Sequence, residues 1–335
     1  MIGKPSSSSC EGRVTDYRWA GADEGPVLVV GNSLGADARM WREQLPALGE
    51  RLRLLLIDHP GHGGAAAVPG LDTIDGLGER TLHLLDEAGV ERAHYLGLSL
   101  GGMVGLWLAA NSSERIDRLA VCCTTAYFGT PQAWRDRVQA VRANGTASIA
   151  PQVVDRWVTA DHTDRAWLVE MMSAVDDEGY AACCEALATL DLRAALPSVA
   201  APTLVIAGDA DRATPVEHGQ AIADAVPGAR LKVVPGAHLA PLESPDVVTP
   251  LLVEHFTSVR RQVLGDAHVD RAQAATTPFT ADFQDFIGRY AWERTSGPGP
   301  AWTAAPAAPS RWPCWPPCST RTSWPCTCGP RCATG

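Results

Sequence analysis

The residues best suited to chemistry are a serine between two glycines, in the segment 97–101 (GLSLG). An apolar run (93–96) precedes this segment, and a second apolar run (102–110) with a helical pattern follows it. A G-x-S-x-G motif between a strand and a helix is typical of a nucleophile elbow, in which a sharp turn lifts the serine hydroxyl out of the sheet. A glycine-rich turn with an ordinary serine has the same pattern, so the motif alone leaves the role of Ser99 open.

A histidine and an acid that can activate Ser99 follow later in the chain. A serine hydroxyl is almost fully protonated at neutral pH and needs a base to become a nucleophile. His238 follows a predicted strand and can take the Ser99 proton, while Asp211 can orient His238 and stabilise its imidazolium form. Asp209 competes for the acid role. We favour Asp211 because the segment 208–211 (GDAD) resembles a G-x-x-D motif of the family named below, with the acid in the last place.

Acyl transfer also needs N–H groups directed at the oxygen on which negative charge develops. The N–H of Leu100, just after the serine, is one predicted donor. The second is expected from the loop 31–35 (GNSLG), which follows the first strongly apolar run. Within this loop we favour the N–H of Leu34, with Ser33 close by.

Short apolar runs alternate with helical patterns, which predicts an α/β fold with a mostly parallel sheet. From 126 to 197 the pattern is helical only, and we expect this insertion to lie as a cap over the carboxyl ends of the strands, where ligands bind in such sheets. Residues 73–88 form a predicted amphipathic helix. The predicted strands are 27–30, 52–57, 94–97, 116–122, 202–207 and 231–234.

Composition narrows the function classes. The chain has 335 residues, is 46% hydrophobic and has a net charge of −10, with no basic stripe that would indicate nucleic-acid binding. The N-terminus has no apolar signal-peptide region and no run is long enough to span a bilayer, so we expect a cytoplasmic protein without a membrane partner. The adjacent cysteines at 122–123 and 183–184 lie in apolar segments and are predicted to be core thiols. No metal and no cofactor is predicted.

Residues from about 15 to 259 resemble the 3-oxoadipate enol-lactonases of the α/β-hydrolase superfamily. Asn32 stands where most α/β-hydrolases have His-Gly, and the loop that contains it, 31–35, is one of the more specific parts of the resemblance. The resemblance rests on the segments 31–35, 58–63 (DHPGHG), 97–102, 134–137 (WRDR), 156–157 (RW) and 235–238 (PGAH).

The resemblance implies an α/β-hydrolase domain over 1–258 that hydrolyses 3-oxoadipate enol-lactone through an acyl-enzyme, in protocatechuate or catechol breakdown. Because this substrate is an anion, Arg137 and Arg156 in the cap are predicted anchors, with Trp134 as an apolar wall. Other interpretations remain open: a carboxylesterase, a C–C hydrolase, a perhydrolase, or a ligand-binding protein without catalysis. The sequence does not indicate an oligomeric state.

Residues 259–294 resemble the beginning of a 4-carboxymuconolactone decarboxylase domain, on the segments 263–271 and 278–292. Fusions of a lactonase with such a decarboxylase exist in this pathway. The catalytic segment of the decarboxylase has no counterpart in the chain, so we expect no decarboxylase activity.

The segment 295–335 contains no Val, Ile, Leu, Met, Phe, Asp or Glu, which predicts a disordered tail. One hypothesis is that this tail is read out of frame, because suitable codons for 300–308 and 318–328 encode a decarboxylase-like sequence two bases later. The five cysteines of the tail have an odd count and a spacing that matches no usual zinc pattern.

Overall fold

The structure, a computed structural model, describes residues 17–258, together with 264, 266–277, 280, 281 and 283. The predicted tail, 295–335, lies outside the described residues, and so does most of the decarboxylase-like segment, 259–294. A helix over Asp266–Ala274 is described within that segment, and Val269 on it is buried.

A twisted α/β sheet lies at the centre of residues 17–258. Its seven strands follow the order β1-β3-β2-β4-β5-β6-β7, and all neighbours are parallel except β1, which pairs antiparallel with β3. This architecture confirms the predicted fold class. The strands are β1 (Tyr17–Gly21), β2 (Val27–Gly31), β3 (Arg53–Ile57), β4 (Ala93–Leu98), β5 (Ile116–Cys122), β6 (Thr203–Gly208) and β7 (Arg230–Val234).

The strands that are buried in the sheet can be predicted from the sequence. In β2, β4 and β6 every residue is buried, because helices cover both faces of a parallel sheet, so these strands have continuous apolar sequences. The bounds of β2 to β7 agree with the predictions to within one residue. Strand β1 was not predicted. It is an exposed edge strand whose sequence, YRWAG, shows no apolar alternation.

Ten helices follow one another in residues 17–258, besides short 3₁₀ turns. The predicted helix 73–88 is α2, and the Thr73 side chain caps it by accepting a hydrogen bond from the Gly76 N–H. No helix in the described part of the chain is long and apolar enough to cross a membrane. The helices are α1 (Leu45–Gly49), α2 (Ile74–Glu87), α3 (Leu100–Asn111), α4 (Pro131–Asn144), α5 (Ala150–Trp157), α6 (Arg165–Ser173), α7 (Asp177–Ala188), α8 (Val216–Ala225), α9 (Ala240–Glu243) and α10 (Pro245–Thr257).

The segment between β5 and β6 is helical, as predicted, and forms a cap from α4 to α7. Helix α4 packs along α7, and α5 packs against α6. Cys183 and Cys184 are buried on α7, while Cys122 and Cys123 are buried at the end of β5, so all four are free thiols inside the molecule. The cap therefore has a small apolar interior of its own.

Candidate active site

Ser99 lies at a sharp turn between β4 and α3. Its backbone has φ 55° and ψ −116°, and among the described residues only Cys123 shares a positive φ without being glycine. Such a conformation costs about 1–3 kcal/mol and persists only where the surrounding contacts hold it. Two contacts do so: the Ser99 N–H donates to the Cys122 carbonyl at 3.0 Å, and the Thr124 hydroxyl donates to the Ser99 carbonyl at 2.7 Å.

The glycines on either side of the serine allow this turn to pack against the neighbouring strand. A Cβ on Gly97 would lie 2.3 Å from the carbonyl carbon of Gly101. A Cβ on Gly101 would lie 2.6 Å from the carbonyl carbon of Gly31, at the end of β2. The Gly101 N–H donates to the Asn32 carbonyl at 2.9 Å, so the elbow and the loop after β2 are joined directly through their backbones.

Asp211 and His238 meet at the carboxyl ends of the last two strands. Asp211 follows β6, His238 follows β7, and Asp211 Oδ2 lies 2.9 Å from His238 Nδ1. Asp209 lies elsewhere: it is exposed and accepts a hydrogen bond from the Gly236 N–H at 3.1 Å. Of the two acids that the sequence leaves open, only Asp211 contacts the histidine.

Hydrogen bonds hold Asp211 as a carboxylate. Its Oδ1 accepts from the N–H groups of Ala213 (2.8 Å) and Thr214 (3.0 Å), and its Oδ2 accepts from the Thr214 hydroxyl (2.7 Å). Burial alone would raise the pKa of Asp211. The charge of His238 and the hydrogen bonds from His238 and Thr214 outweigh burial and lower this pKa. An ionised Asp211 keeps a proton on His238 Nδ1, which leaves Nε2 free to act as the base.

Two backbone donors lie near the serine. Leu100 is the first residue of α3, where an N–H has no acceptor within its own helix. Ser33 and Leu34 line the same cavity as Ser99. The Ser33 N–H already donates to Met40 Sδ at 3.4 Å, which favours the Leu34 N–H as the second donor.

Asn32 and the loop 58–63 form the support beneath these donors. The Asn32 side chain donates to the Ile57 carbonyl (3.0 Å) and to Asp58 Oδ1 (2.8 Å), and the Asn32 carbonyl lies 2.8 Å from His59 Nε2. Burial lowers the pKa of His59 to about 4 and that of His62 to about 3. Both rings are therefore neutral at pH 7 and serve the packing of this loop.

One cavity of about 210 Å³ brings the predicted residues together. Ser99 and His238 form part of its floor, and the cap residues Trp134, Arg137 and Arg156 form part of its roof. The Arg137 guanidinium carbon lies 4.9 Å from the centre of the Trp134 ring. Within the described chain no Asp or Glu lines this cavity, so its roof is positively charged.

Several residues that line this cavity were not predicted as site residues, among them Arg212 and Tyr180. Arg212 donates to the Asp155 carbonyl, at the end of α5, at 2.9 Å, and its position directly after Asp211 was an available signal. Tyr180 gave no signal, because it lies inside an apolar helix of the cap. Burial raises the pKa of Tyr180, and the nearby charge of Arg137 opposes that rise.

Comparisons with known proteins agree with this fold. Residues 26–145 match the family described as "alpha/beta hydrolase fold". The 3-oxoadipate enol-lactonase 2 of Acinetobacter baylyi is 36% identical, over 69% of this chain and 88% of its own length. The 3-oxoadipate enol-lactonase 1 of the same organism is 32% identical, over 70% of this chain and 90% of its own. The chain belongs to the α/β-hydrolase family.

Solved structures give the same class. The enol-lactonase from Burkholderia xenovorans LB400 superposes with a TM-score of 0.70 at 37% identity, over 72% of this chain and 95% of that one. An esterase from Thermogutta terrifontis reaches 0.66 at 28% identity, over 71% and 91%. Among sequence relatives, a putative carbamate hydrolase RutD of Stutzerimonas stutzeri is 28% identical, over 72% of this chain and 95% of its own length. The protein is therefore a hydrolase by class. The resemblance of the segment 259–294 to a decarboxylase stays a prediction.

Proposed function

We propose that the protein hydrolyses 3-oxoadipate enol-lactone to 3-oxoadipate, within the breakdown of protocatechuate, with Ser99, His238 and Asp211 as its catalytic triad. One observation carries the proposal: a strained serine shares a cavity with His238, which is bonded to Asp211, and the roof of this cavity bears Arg137 and Arg156. The two enol-lactonase relatives support the choice of substrate.

The first half of the reaction forms an acyl-enzyme. Ser99 Oγ attacks the lactone carbonyl while His238 Nε2 takes its proton. The N–H groups of Leu100 and Leu34 stabilise the negative oxygen of the tetrahedral intermediate. When this intermediate collapses, the ring C–O bond breaks, the enolate oxygen leaves, and His238 returns the proton to that oxygen. The resulting enol becomes the ketone of 3-oxoadipate by tautomerisation, in which a proton is lost from oxygen and one is gained at carbon.

The second half releases the acid. His238 takes a proton from a water molecule, and the resulting hydroxide attacks the acyl carbon on Ser99. The same two N–H groups hold the second oxyanion. Collapse of this intermediate breaks the bond to Ser99 Oγ, and the proton on His238 goes to that oxygen, which restores the free enzyme.

The cap selects an anionic substrate. Arg137 and Arg156 face a cavity without a lining carboxylate, so a substrate carboxylate there replaces water on at least one guanidinium. Trp134 places an apolar ring beside Arg137 and limits the space for larger groups. This arrangement favours a small lactone with a carboxylate over a neutral ester of similar size.

The test is a steady-state assay of the wild type and Ser99→Ala side by side, with the enol-lactone and with p-nitrophenyl acetate. We expect kcat/KM for the lactone to exceed that for the ester in the wild type. Ser99→Ala should lower kcat by at least about 10³-fold without preventing binding.

Three outcomes would contradict the proposal. Equal or faster turnover of the ester would favour a carboxylesterase, an alternative supported by the Thermogutta terrifontis esterase at 28% identity. Unchanged lactone hydrolysis in Ser99→Ala would remove Ser99 from the reaction. A wild type that binds the lactone without turnover would favour a ligand-binding role.

A further inference from the structure

The loop that carries His238 is held on both sides of the histidine. The Ala237 N–H donates to Glu243 Oε2 at 2.7 Å. The Leu239 N–H donates to the Trp157 carbonyl, at the end of cap helix α5, at 2.7 Å. The bond from Ala237 goes to Glu243, on the sheet side of the molecule, and the bond from Leu239 goes to the cap. His238 therefore lies at the junction between the sheet side and the cap.

Glu243 connects the two sides of this junction. Its other oxygen, Oε1, accepts hydrogen bonds from the N–H (2.7 Å) and the hydroxyl (2.5 Å) of Thr159, which lies just past α5. Three donors therefore surround one partly buried carboxylate, and hydrogen bonds to an ionised acceptor are stronger than those between neutral groups. Through Glu243, the backbone beside His238 is tied to the cap.

We propose that Glu243 is a positioning residue for His238, which sets the histidine loop against the cap so that the ring faces Ser99 and Asp211 together. The inference rests on the proposed hydrolase function, because it assigns to Glu243 an effect on that reaction. A displacement of about 1 Å at a reacting group lowers a rate by about 10²-fold, so a backbone contact of this kind is large enough to matter.

Two variants separate positioning from simple stability. Glu243→Gln replaces one carboxylate oxygen by an NH₂ group, which cannot accept a hydrogen bond. Either orientation of the amide places this NH₂ group against the N–H of Ala237 or against the donors of Thr159. The hydrogen bonds on one side of residue 243 are therefore lost. Thr159→Val removes only the hydroxyl donor and keeps both the shape and the backbone N–H. Glu217→Gln, an exposed glutamate on α8, is the matched control.

The experiment measures kcat and KM per active site, with sites counted by reaction with a serine-directed phosphonate carried to completion. It also records the pH profile of kcat and the strongly downfield proton signal of the His238–Asp211 hydrogen bond. We expect kcat to fall about 30–100-fold in Glu243→Gln and about 3–10-fold in Thr159→Val, with KM nearly unchanged. The downfield signal should weaken in both variants and persist in Glu217→Gln.

Wild-type kcat per site and an intact downfield signal in both variants would overturn the proposal, even if both variants unfold at lower temperature. If Glu243→Gln does not fold, Thr159→Val decides alone. Ser99→Ala tests the proposed function separately. Activity in that variant would refute the triad, whereas the downfield signal reports on His238 without any turnover.

Discussion

The floor and the roof of the cavity are built differently. On the floor, Ser99 and His238 are buried, and Asp211 is buried next to His238. Each of the three follows a strand of the sheet within four residues. On the roof, Trp134 and Arg137 are half-buried on α4. Rigid strand ends hold atoms to within fractions of an ångström, whereas side chains on helix surfaces adapt. The proposed mechanism accordingly places bond-making on the sheet and substrate selection in the cap.

The two surfaces also differ in charge. Beneath the floor, the carboxylate of Asp211 is compensated by four hydrogen bonds, one of them with His238. On the roof the guanidinium groups of Arg137 and Arg156 face a cavity without a lining carboxylate, in a chain whose net charge is −10. A local positive field attracts an anion despite the overall negative charge.

The largest expected effect is on the floor. Asp211→Asn should lower kcat by about 10⁴-fold, because the amide favours the wrong tautomer of His238. Steady-state kinetics at constant pH measures the change. Asp209→Asn is the matched control and should alter kcat by less than about threefold, since Asp209 does not touch the histidine. A larger loss in Asp209→Asn than in Asp211→Asn would reverse the assignment.

The elbow gives the next largest effect, on stability. In Gly101→Ala the new Cβ would lie 2.6 Å from the backbone of Gly31, which cannot move aside as a flexible side chain would. We expect the free energy of unfolding to fall by about 3 kcal/mol or more, measured by urea denaturation. Gly64→Ala, where the Cβ meets nothing within 4 Å, should stay within about 0.5 kcal/mol of the wild type. Similar losses in both would refute the steric explanation.

A substitution in the roof should weaken substrate binding and leave kcat nearly unchanged. Arg137→Ala should raise KM for the anionic lactone about 30-fold, which corresponds to about 2 kcal/mol, with a much smaller effect on a neutral ester. Arg135→Ala, an exposed neighbour on the same helix, is the control. If kcat falls and KM stays constant in Arg137→Ala, the division between floor and roof is wrong.

We expect the protein to lose stability in acid through two buried histidines on the sheet side of the molecule, His59 and His94. Burial lowers the pKa of His59 and of His94 to about 4, while an unfolded histidine titrates near its ordinary value, 6.5. The unfolded chain therefore binds more protons below pH 6.5. Stability is full above that pH and falls by about 2 kcal/mol per histidine by pH 5. Urea unfolding at pH 7.5 and pH 5 measures this, and His94→Phe should flatten the slope; an unchanged slope would exclude His94 as a contributor.

Much of this molecule can be predicted from local patterns. Strands β2, β4 and β6 have continuous apolar sequences because both faces of the sheet are covered there, and the elbow around Ser99 is a short motif between a strand and a helix. Strand β1 was not predicted, because an exposed edge strand depends on its pairing with β3 and not on an apolar pattern. Arg212 and Tyr180 were not predicted as site residues, because their place in the site depends on which cavity they line.

The sequence by itself determined the sheet, the helical insertion and the candidates Ser99, His238 and two competing acids, since these follow from neighbours in the chain. Only the tertiary structure decided which acid meets the histidine, 27 residues away, and that Glu243 joins the histidine loop to a cap residue 84 positions earlier. The reason is physical. Periodicity and turn chemistry are local, whereas a hydrogen bond between distant segments exists only after the chain has packed them together.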